Sequence, residues 1–330
     1  MNVIVDAMGG DNAPLQVVKG ALDAALEYKA VKITLVGDES KIRECVKELE
    51  MSITDNIEIV HTDVAVTMED DPMVVMKEKS ESSMAIGLKL LKEDKGDAFV
   101  SAGSTGALHA ASTLIVRKIK GVRRSAIGAI IPFTPPILLL DSGANPVVTS
   151  DLLLQWAIIG SAYMKKVFGV KNPRVGLLNN GTEEHKGTPV VSEAYALLKN
   201  NKSINFVGNI EAKEIPNSPC DVLVTDGFTG NIALKLTEGM GKFIGRKLTQ
   251  IFSSNIFTKL SYLFCFKKEI KKFKKEMDAS EYGGAPLLGL SKPVIKTHGS
   301  SKAKEIKTAI RQSIEYAKSN IIEDVATEIK

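Results

Sequence analysis

Cysteine is scarce in this sequence. Cys45, Cys220 and Cys265 are the only three in 330 residues, far apart and without a C-x-x-C pair. That argues against a disulfide framework and a structural zinc site, and it fits a reducing, cytoplasmic compartment. Long apolar runs are also missing. No stretch of about 18 apolar residues is present, so no membrane-spanning helix is expected. The most apolar stretch, residues 126–140, is broken by Pro132, Pro135 and Pro136 and reads as buried strands. The start, Met-Asn-Val-Ile-Val-Asp, has neither a basic segment nor a long apolar one, so it does not read as a signal peptide.

Other absences narrow the chemistry. The four histidines, His61, His109, His185 and His298, show no metal-ligand spacing, so neither a metal nor another cofactor is expected. No glycine loop is followed by Gly-Lys-Ser/Thr, as a P-loop requires. No G-x-G-x-x-G has an acid about 20 residues on, so the dinucleotide fingerprint is missing. Nothing resembles a nucleophile elbow or a Cys–His pair, which leaves a covalent enzyme intermediate without support.

What is present is an ordinary globular balance, 44% hydrophobic and 25% charged. Short β-rich runs at residues 3–6, 33–37, 57–61, 98–101, 127–131, 137–141, 175–179, 205–207 and 222–225 read as strands. Helical patterns follow several of them, at 14–28, 40–50, 82–93, 106–118, 150–168 and 189–199. Apolar strands alternating with helices predict an α/β fold, three layers of α/β/α around a mostly parallel sheet. The strands flanking Pro132–Pro136 suit an antiparallel hairpin within it. Residues 278–291, rich in glycine, read as irregular, followed by a strand at 294–297 and a helix over 301–319. We expect one domain over residues 1–330, with 243–278 as a helical protrusion.

Several strand ends carry glycines and small polar residues where a helix should begin. They are Asp6-Ala-Met-Gly-Gly-Asp-Asn12, Ser101-Ala-Gly-Ser-Thr-Gly106, Asn179-Asn-Gly-Thr182 and Thr225-Asp-Gly-Phe-Thr-Gly-Asn231. Glycine lets a backbone approach a ligand closely, and a helix start exposes N–H groups. Loops at the carboxyl ends of parallel strands converge on ligands. Gly9, Gly10, Ser101, Gly103, Ser104, Thr105, Gly106, Asp226, Gly227, Thr229 and Gly230 are therefore candidates to bind a phosphate or an oxyanion, along one shared rim of the sheet. Any single loop also reads as a plain strand-to-helix turn. Asp6, and Asp141 with Asn145 in Asp141-Ser-Gly-Ala-Asn145, suit loop support. Lys186, in Gly181-Thr-Glu-Glu-His-Lys-Gly187, is a mobile point charge suited to phosphate or a departing thiolate, or a solvated lysine. Asn180, Asn231 and His298 could add hydrogen bonds.

In order along nearly the whole chain, these runs, with Asn205–Glu211, Gly283–Gly289 and His298–Ser301, resemble the PlsX family of bacterial phosphate acyltransferases. Ser104 and Ser142 depart from the residues common there, Asn and Val. The resemblance implies a fold akin to phosphotransacetylases and isopropylmalate dehydrogenases, and a homodimer. It implies transfer of an acyl group from acyl carrier protein to phosphate, feeding a membrane glycerol-3-phosphate acyltransferase in phospholipid synthesis. Three alternatives stand beside it: an acyl-CoA-using phosphotransacetylase, a decarboxylating dehydrogenase on a related sheet, and a non-enzymatic regulator binding carrier or lipid.

Charge is uneven. Residues 246–277 hold nine Lys or Arg against two Glu, net +7, which leaves the rest of a +4 chain at −3. Six of the eleven phenylalanines fall between Phe243 and Phe273. Phe252, Ile256, Leu260, Leu263 and Phe264 share a helical stripe beside these lysines, which suits contact with an anionic membrane surface. A carrier protein, the dimer partner or the core could equally cover it. A second basic cluster, residues 117–124, could dock the carrier or be a solvated helix end. Nucleic acid is not expected, because stacking aromatics spread over a sheet are not evident.

Overall fold

The computed structural model describes residues 1–255, 262, 266–276 and 281–329. The first part alternates β1 (Asn2–Asp6), α1 (Leu15–Glu27), β2 (Lys32–Gly37), α2 (Glu39–Glu48), β3 (Ile57–His61), α3 (Ser83–Lys92), β4 (Ala98–Ser101) and α4 (Thr105–Ala111). A hairpin follows, β5 (Ala126–Ile131) and β6 (Ile137–Leu140). Then come α5 (Ser150–Lys166), β7 (Arg174–Asn179), α6 (Pro189–Asn200), β8 (Asn205–Glu211), β9 (Val222–Val224) and α7 (Gly227–Ser253). The chain closes with α8 (Lys267–Glu276), β10 (Ala285–Leu288), β11 (Val294–Lys296), α9 (Ala303–Lys318) and α10 (Ile321–Glu328).

The strands form one sheet of eleven among the described residues, in the order β3-β2-β1-β4-β11-β10-β5-β6-β9-β7-β8. Both faces are apolar, which is why the strands read as continuous hydrophobic runs. In β1, Val3 and Val5 enter one core and Ile4 the other. In β6, Leu138 and Leu140 share that first core, while Ile137 and Leu139 enter a third cluster with Leu234 of α7. Helices α1, α2, α5, α6, α9 and α10 cover the first face. Helices α3 and α4 cover the second face over one half of the sheet, and α7 begins over the other half. The result is three layers, α/β/α.

Strand direction divides the sheet. β3, β2, β1, β4 and β11 are mutually parallel, and so are β6, β9, β7 and β8. Between the two wings lie three antiparallel steps, β11–β10, β10–β5 and β5–β6. An odd number of reversals turns the second wing around. The carboxyl ends of the two wings therefore leave opposite edges, and the expectation of one shared rim does not hold.

β10 is the element that makes this inversion, and it falls within residues expected to be irregular. Proline cannot donate to a ladder, so Pro286 argues against an interior strand. The register resolves this. Ala285 and Pro286 pair only with β11, whereas Leu287 and Leu288 pair with β5. At Pro286 the strand still has a free side, as an edge strand has. Gly284 is needed for close approach, because a Cβ there would meet the Lys296 carbonyl oxygen at 2.4 Å. Two further differences are local. The helix expected over 106–118 is α-helical only to Ala111, continues as a π-turn over Ser112–Val116 and stops at Arg117 with φ +72°. Helix α10 has no counterpart in the sequence reading.

Candidate functional site

Three strand ends of the first wing interlock. Asp6, at the end of β1, is buried, and its carboxylate accepts hydrogen bonds from Ser83 Oγ (2.6 Å), Ser101 Oγ (2.7 Å) and the Met8 N–H (3.3 Å). Burial pushes its pKa up, against the pull of these donors. Ser101 Oγ in turn accepts the Gly103 N–H at 3.0 Å. Space then decides the residue types. A Cβ on Gly9 would lie 2.5 Å from Asp6 Oδ2 and 2.8 Å from the Gly103 nitrogen. Gly10, at φ +104°, would meet Ala102 Cβ at 2.9 Å and the Gly299 oxygen at 3.0 Å. The Asp11 N–H donates to Gly299 O at 2.8 Å, and Asn12 Nδ2 to Ser300 O at 2.9 Å. The turn after β1 is thus fastened to those after β4 and β11. Ser104 caps α4 through the Ala107 N–H, and Thr105 and Gly106 are exposed beside it. His298 is exposed, with Nδ1 2.8 Å from Ser300 Oγ.

The second wing has its own cluster at the opposite edge. Asp141 is fully buried and accepts from the N–H groups of Ile127 (3.0 Å), Gly143 (3.1 Å), Ala144 (3.1 Å) and Asn145 (2.6 Å), and from Asn145 Nδ2 (2.9 Å). Asn145 Nδ2 also reaches Ser125 O at 2.9 Å. These contacts tie the 141–145 loop to the starts of β5 and α7. Asp226 is the N-cap of α7, accepting the Thr229 N–H at 2.8 Å and Thr229 Oγ1 at 2.7 Å. The Gly227 N–H donates to Asn145 O at 2.8 Å, and the Gly230 N–H to Asp226 O at 2.9 Å. The N–H groups of Gly227, Thr229 and Gly230 are therefore engaged within the protein, and a carboxylate already occupies this helix start. Anion donation, expected of this loop, is disfavoured by that geometry. Its glycines serve close packing instead. Asn231 lies over Gly143, 3.7 Å from where a Cβ would stand.

Lys186 is exposed in the loop after β7 and forms no ion pair among the described residues. Its carbonyl accepts from Asn179 Nδ2 at 3.0 Å, and the Asn180 N–H donates to Asn179 Oδ1 at 2.8 Å. Nearby, a pocket of about 200 Å³ opens among Val147, Val148, Leu178, Val191, Thr225 and Asp226. Its lining is mostly apolar.

Helix α4 connects the two edges. It starts at Ser104, and His109 Nε2 lies 3.1 Å from Ser125 Oγ, beside Asn145 and Asp141. Seven residues of helix span about 10 Å. The structure thus brings Gly9, Gly10, Ser101–Gly106 and His298 together, and separately Asp141, Asn145, Asp226–Gly230 and Asn231. It places Asn180 and Lys186 with the second wing. Sequence reading missed Ser83, Ser125 and Lys296. Only Lys296 carried a signal, as a charge inside an apolar strand. No group of three His, Cys, Asp or Glu among the described residues could hold a metal. Of the residues expected at a membrane, Phe252 is half-buried against Phe266 and Tyr262; Ile256, Leu260, Leu263 and Phe264 lie outside the described residues.

A mostly parallel sheet with helices on both faces and glycine turns fastened at its strand ends defines an α/β protein of the phosphotransacetylase fold. The solved phosphotransacetylases of Streptococcus pyogenes and Staphylococcus aureus superpose with TM-scores of 0.64 and 0.61, each covering 96% of this chain and 94% of its own, at 17% and 18% identity. Sequence comparison narrows the class. A model of the family described as "Fatty acid synthesis protein" matches residues 1–324. A phosphate acyltransferase of Alkaliphilus oremlandii is 44% identical over 327 residues, 99% of this chain and 96% of the relative. One of Streptococcus thermophilus is 44% identical over 329 residues, 98% and 97% of the two chains. The chain belongs to this fatty acid synthesis family of phosphate acyltransferases.

Proposed function

We propose that the protein moves a fatty acyl group from the thioester of acyl carrier protein onto orthophosphate, giving acyl phosphate and free carrier. The end-to-end match to proteins named phosphate acyltransferase carries this reading. The chemistry suits the residues. Phosphate is largely dianionic at neutral pH and needs positioning more than activation. A phosphate oxygen forms a bond to the thioester carbonyl carbon, the C–S bond breaks, and the thiolate leaves to take a proton from solvent. The fastened turns at Gly9–Gly10, Ser101–Gly106 and His298 hold the anion. Lys186, with Asn180 and Asn231, stands at the second wing's edge, away from these turns, and meets the carrier-borne arm of the thioester substrate. The apolar pocket beside Thr225 takes part of the acyl chain.

Several surfaces support the wider reading. On α7, Phe228, Ile232, Leu236, Met240, Phe243 and Ile244 are exposed, although such side chains usually find cover. A second copy of the chain as a homodimer covers the first half of this stripe. Beyond it, Ile251, Phe266 and Phe273 are exposed within the lysine-rich sequence of residues 246–277, which suits reversible contact with an anionic membrane. No helix among the described residues is long and apolar enough to cross a membrane. Membrane contact would hand the product to a glycerol-3-phosphate acyltransferase. The basic residues 117–124 suit an acidic carrier. Some are already engaged: Arg123 reaches Asp151, and Arg124 reaches the Val147 carbonyl.

The test is acyl phosphate formation, trapped with hydroxylamine, with acyl carrier protein and acyl-CoA compared as donors. The carrier should be the better donor. Lys186→Ala, at an exposed site, should fold normally and lose about fivefold in turnover at low carrier concentration, the scale of one exposed charge contact. Gly103→Val should disturb the Ser101–Asp6 contacts and lose activity too. Near-normal turnover in both folded variants would refute these roles.

A further inference from the structure

The first wing contains a buried charge that the roles above leave unused. In β11, Lys296 stands opposite Ser101 of β4, as Val294 stands opposite Phe99. Phe99 is in turn opposite Ile4 of β1. Laterally paired residues of parallel strands share a face. Asp6, Ser101 and Lys296 therefore form a polar row at the strand ends, over an apolar row of Ile4, Phe99 and Val294. Lys296 is 7% exposed. Its ammonium donates to the carbonyls of Ala102 (3.4 Å) and Thr297, and it forms no ion pair among the described residues. Asp6 forms no ion pair with it; its carboxylate accepts from Ser83, Ser101 and the Met8 N–H instead.

A buried ammonium without a counter-ion is unfavourable; such groups are normally paired or driven toward neutrality. Burial lowers the Lys296 pKa to about 8, with Asp11 and Asp6 opposing that from a distance. The turns near it are closely packed and carry no side chain: a Cβ at Gly9 or Gly10 would collide with Asp6, Gly103, Ala102 or Gly299, so backbone rather than side chains borders the Ala102 carbonyl that Lys296 holds.

We propose that Lys296 binds the phosphate substrate, the anion completing a half-made ion pair beneath the Gly9–Gly10 and Ala102–Gly103 turns. This rests on the acyl transfer to phosphate argued above and adds a residue to it. An ammonium here does what the engaged donors of the second wing do not: it presents uncompensated positive charge at the glycine turns.

A distinctive pH signature follows. The free amine is protonated below about 8 and binds phosphate directly. Above that, binding must bring a proton with it, so affinity falls toward about tenfold per pH unit. Above that pH phosphate itself is already dianionic, so its own titration does not produce this fall. The charged groups bearing on Lys296 are Asp6 of β1 and Asp11 in the following loop. The exposed His298 lies two residues along; Ser83 of α3 and Ala285 of β10, which also face this row, do not titrate.

The experiment is calorimetric titration of the full chain with inorganic phosphate from pH 7 to pH 10, for wild type, Lys296→Met and Lys296→Arg. Wild type should bind evenly to about pH 8 and then weaken. Lys296→Met should bind about 30-fold or more weakly, the scale of losing one buried charge partner, with no break. Lys296→Arg should stay charged and lose the break while retaining binding. Wild-type titrations at pH 9 in two buffers of different ionisation enthalpy should show proton uptake, a readout that needs no variant. A folded Lys296→Met with wild-type affinity and break, or absence of proton uptake in the wild type, overturns the proposal. The two readings fail separately. Acyl phosphate formation without Lys296-dependent phosphate binding sinks this site alone. Lys296-dependent binding without turnover sinks the transferase reading alone.

Discussion

The Asp141 carbonyl oxygen lies 1.9 Å from where a Cβ on Gly230 would stand. A backbone oxygen cannot step aside as a flexible side chain can. The first turn of α7 is therefore pressed onto the 141–145 loop by the absence of a single methyl group. Gly230→Ala should force the two apart and destabilise the protein by about 1–3 kcal/mol, the range for inserting a methyl group into a tightly packed site. Urea denaturation measures this. An unchanged midpoint would mean that α7 and the loop yield more easily than their contacts indicate.

Cysteine reactivity offers an independent check on packing. Cys220 is fully buried between β9 and its neighbours, and burial pushes its thiol up to about 12. Cys45 is also buried and raised. The thiolate is the reactive form, so both sites lack access and nucleophile alike. Iodoacetamide at pH 8 should leave Cys220 unlabelled in the native protein and modify it readily in denaturant, as read by peptide mass spectrometry. Rapid native labelling would contradict the placement of β9 within the sheet.

How much of this was legible in the sequence follows from which forces act locally. Ten of the eleven strands and most helices were readable, because burial on both sheet faces writes apolar runs into the chain and helix starts carry side chains such as Asp38, Ser82 and Thr188. β10 was not readable, since Pro286 and three flanking glycines look like a loop until the split pairing with β11 and β5 is known. The direction of the second wing was lost with it, because that depends on contacts between distant segments. The site followed the same pattern. Individual turns could be found from their glycines, but not their distribution over two edges. Asp226 gave a sequence cue as a helix cap that was read instead as part of an anion loop. Lys296 became notable only when the register set it beside Ser101 and Asp6.

Asp6 predicts a pH effect on stability with a defined sign. Its pKa in the folded chain is raised above the usual aspartate range, chiefly through burial. An acid raised on folding binds more protons in the native state than in the unfolded one. Its contribution is therefore most favourable at low pH and is lost as pH rises from about the unfolded value through the folded one. Asp6→Asn removes that titration, along with part of the hydrogen bonding. The stability of wild type relative to Asp6→Asn should then decline as pH rises from 4 toward neutrality, measured by urea midpoints. A relative stability that climbs over that window would show that Ser83, Ser101 and Met8 outweigh desolvation.

Helix α7 permits its two proposed roles to be separated along its length. Toward its start, Ile232 and Leu236 are exposed with few positive neighbours, whereas the lysine-rich part of the chain begins at Arg246. Apolar surface without surrounding charge suits a second copy of the chain; apolar surface set among lysines suits an anionic bilayer, where each basic residue adds roughly 1 kcal/mol. Ile232→Glu with Leu236→Glu should convert a dimer to a monomer in light scattering and leave co-sedimentation with anionic liposomes largely intact. Ile251→Glu with Phe266→Glu should do the reverse. Both side chains are exposed, so the second pair should not unfold the body of the protein. If the upstream pair left a dimer and abolished liposome binding, the assignments would have to be exchanged. The lysines would then act as a solvated collar around the subunit contact rather than as a membrane anchor.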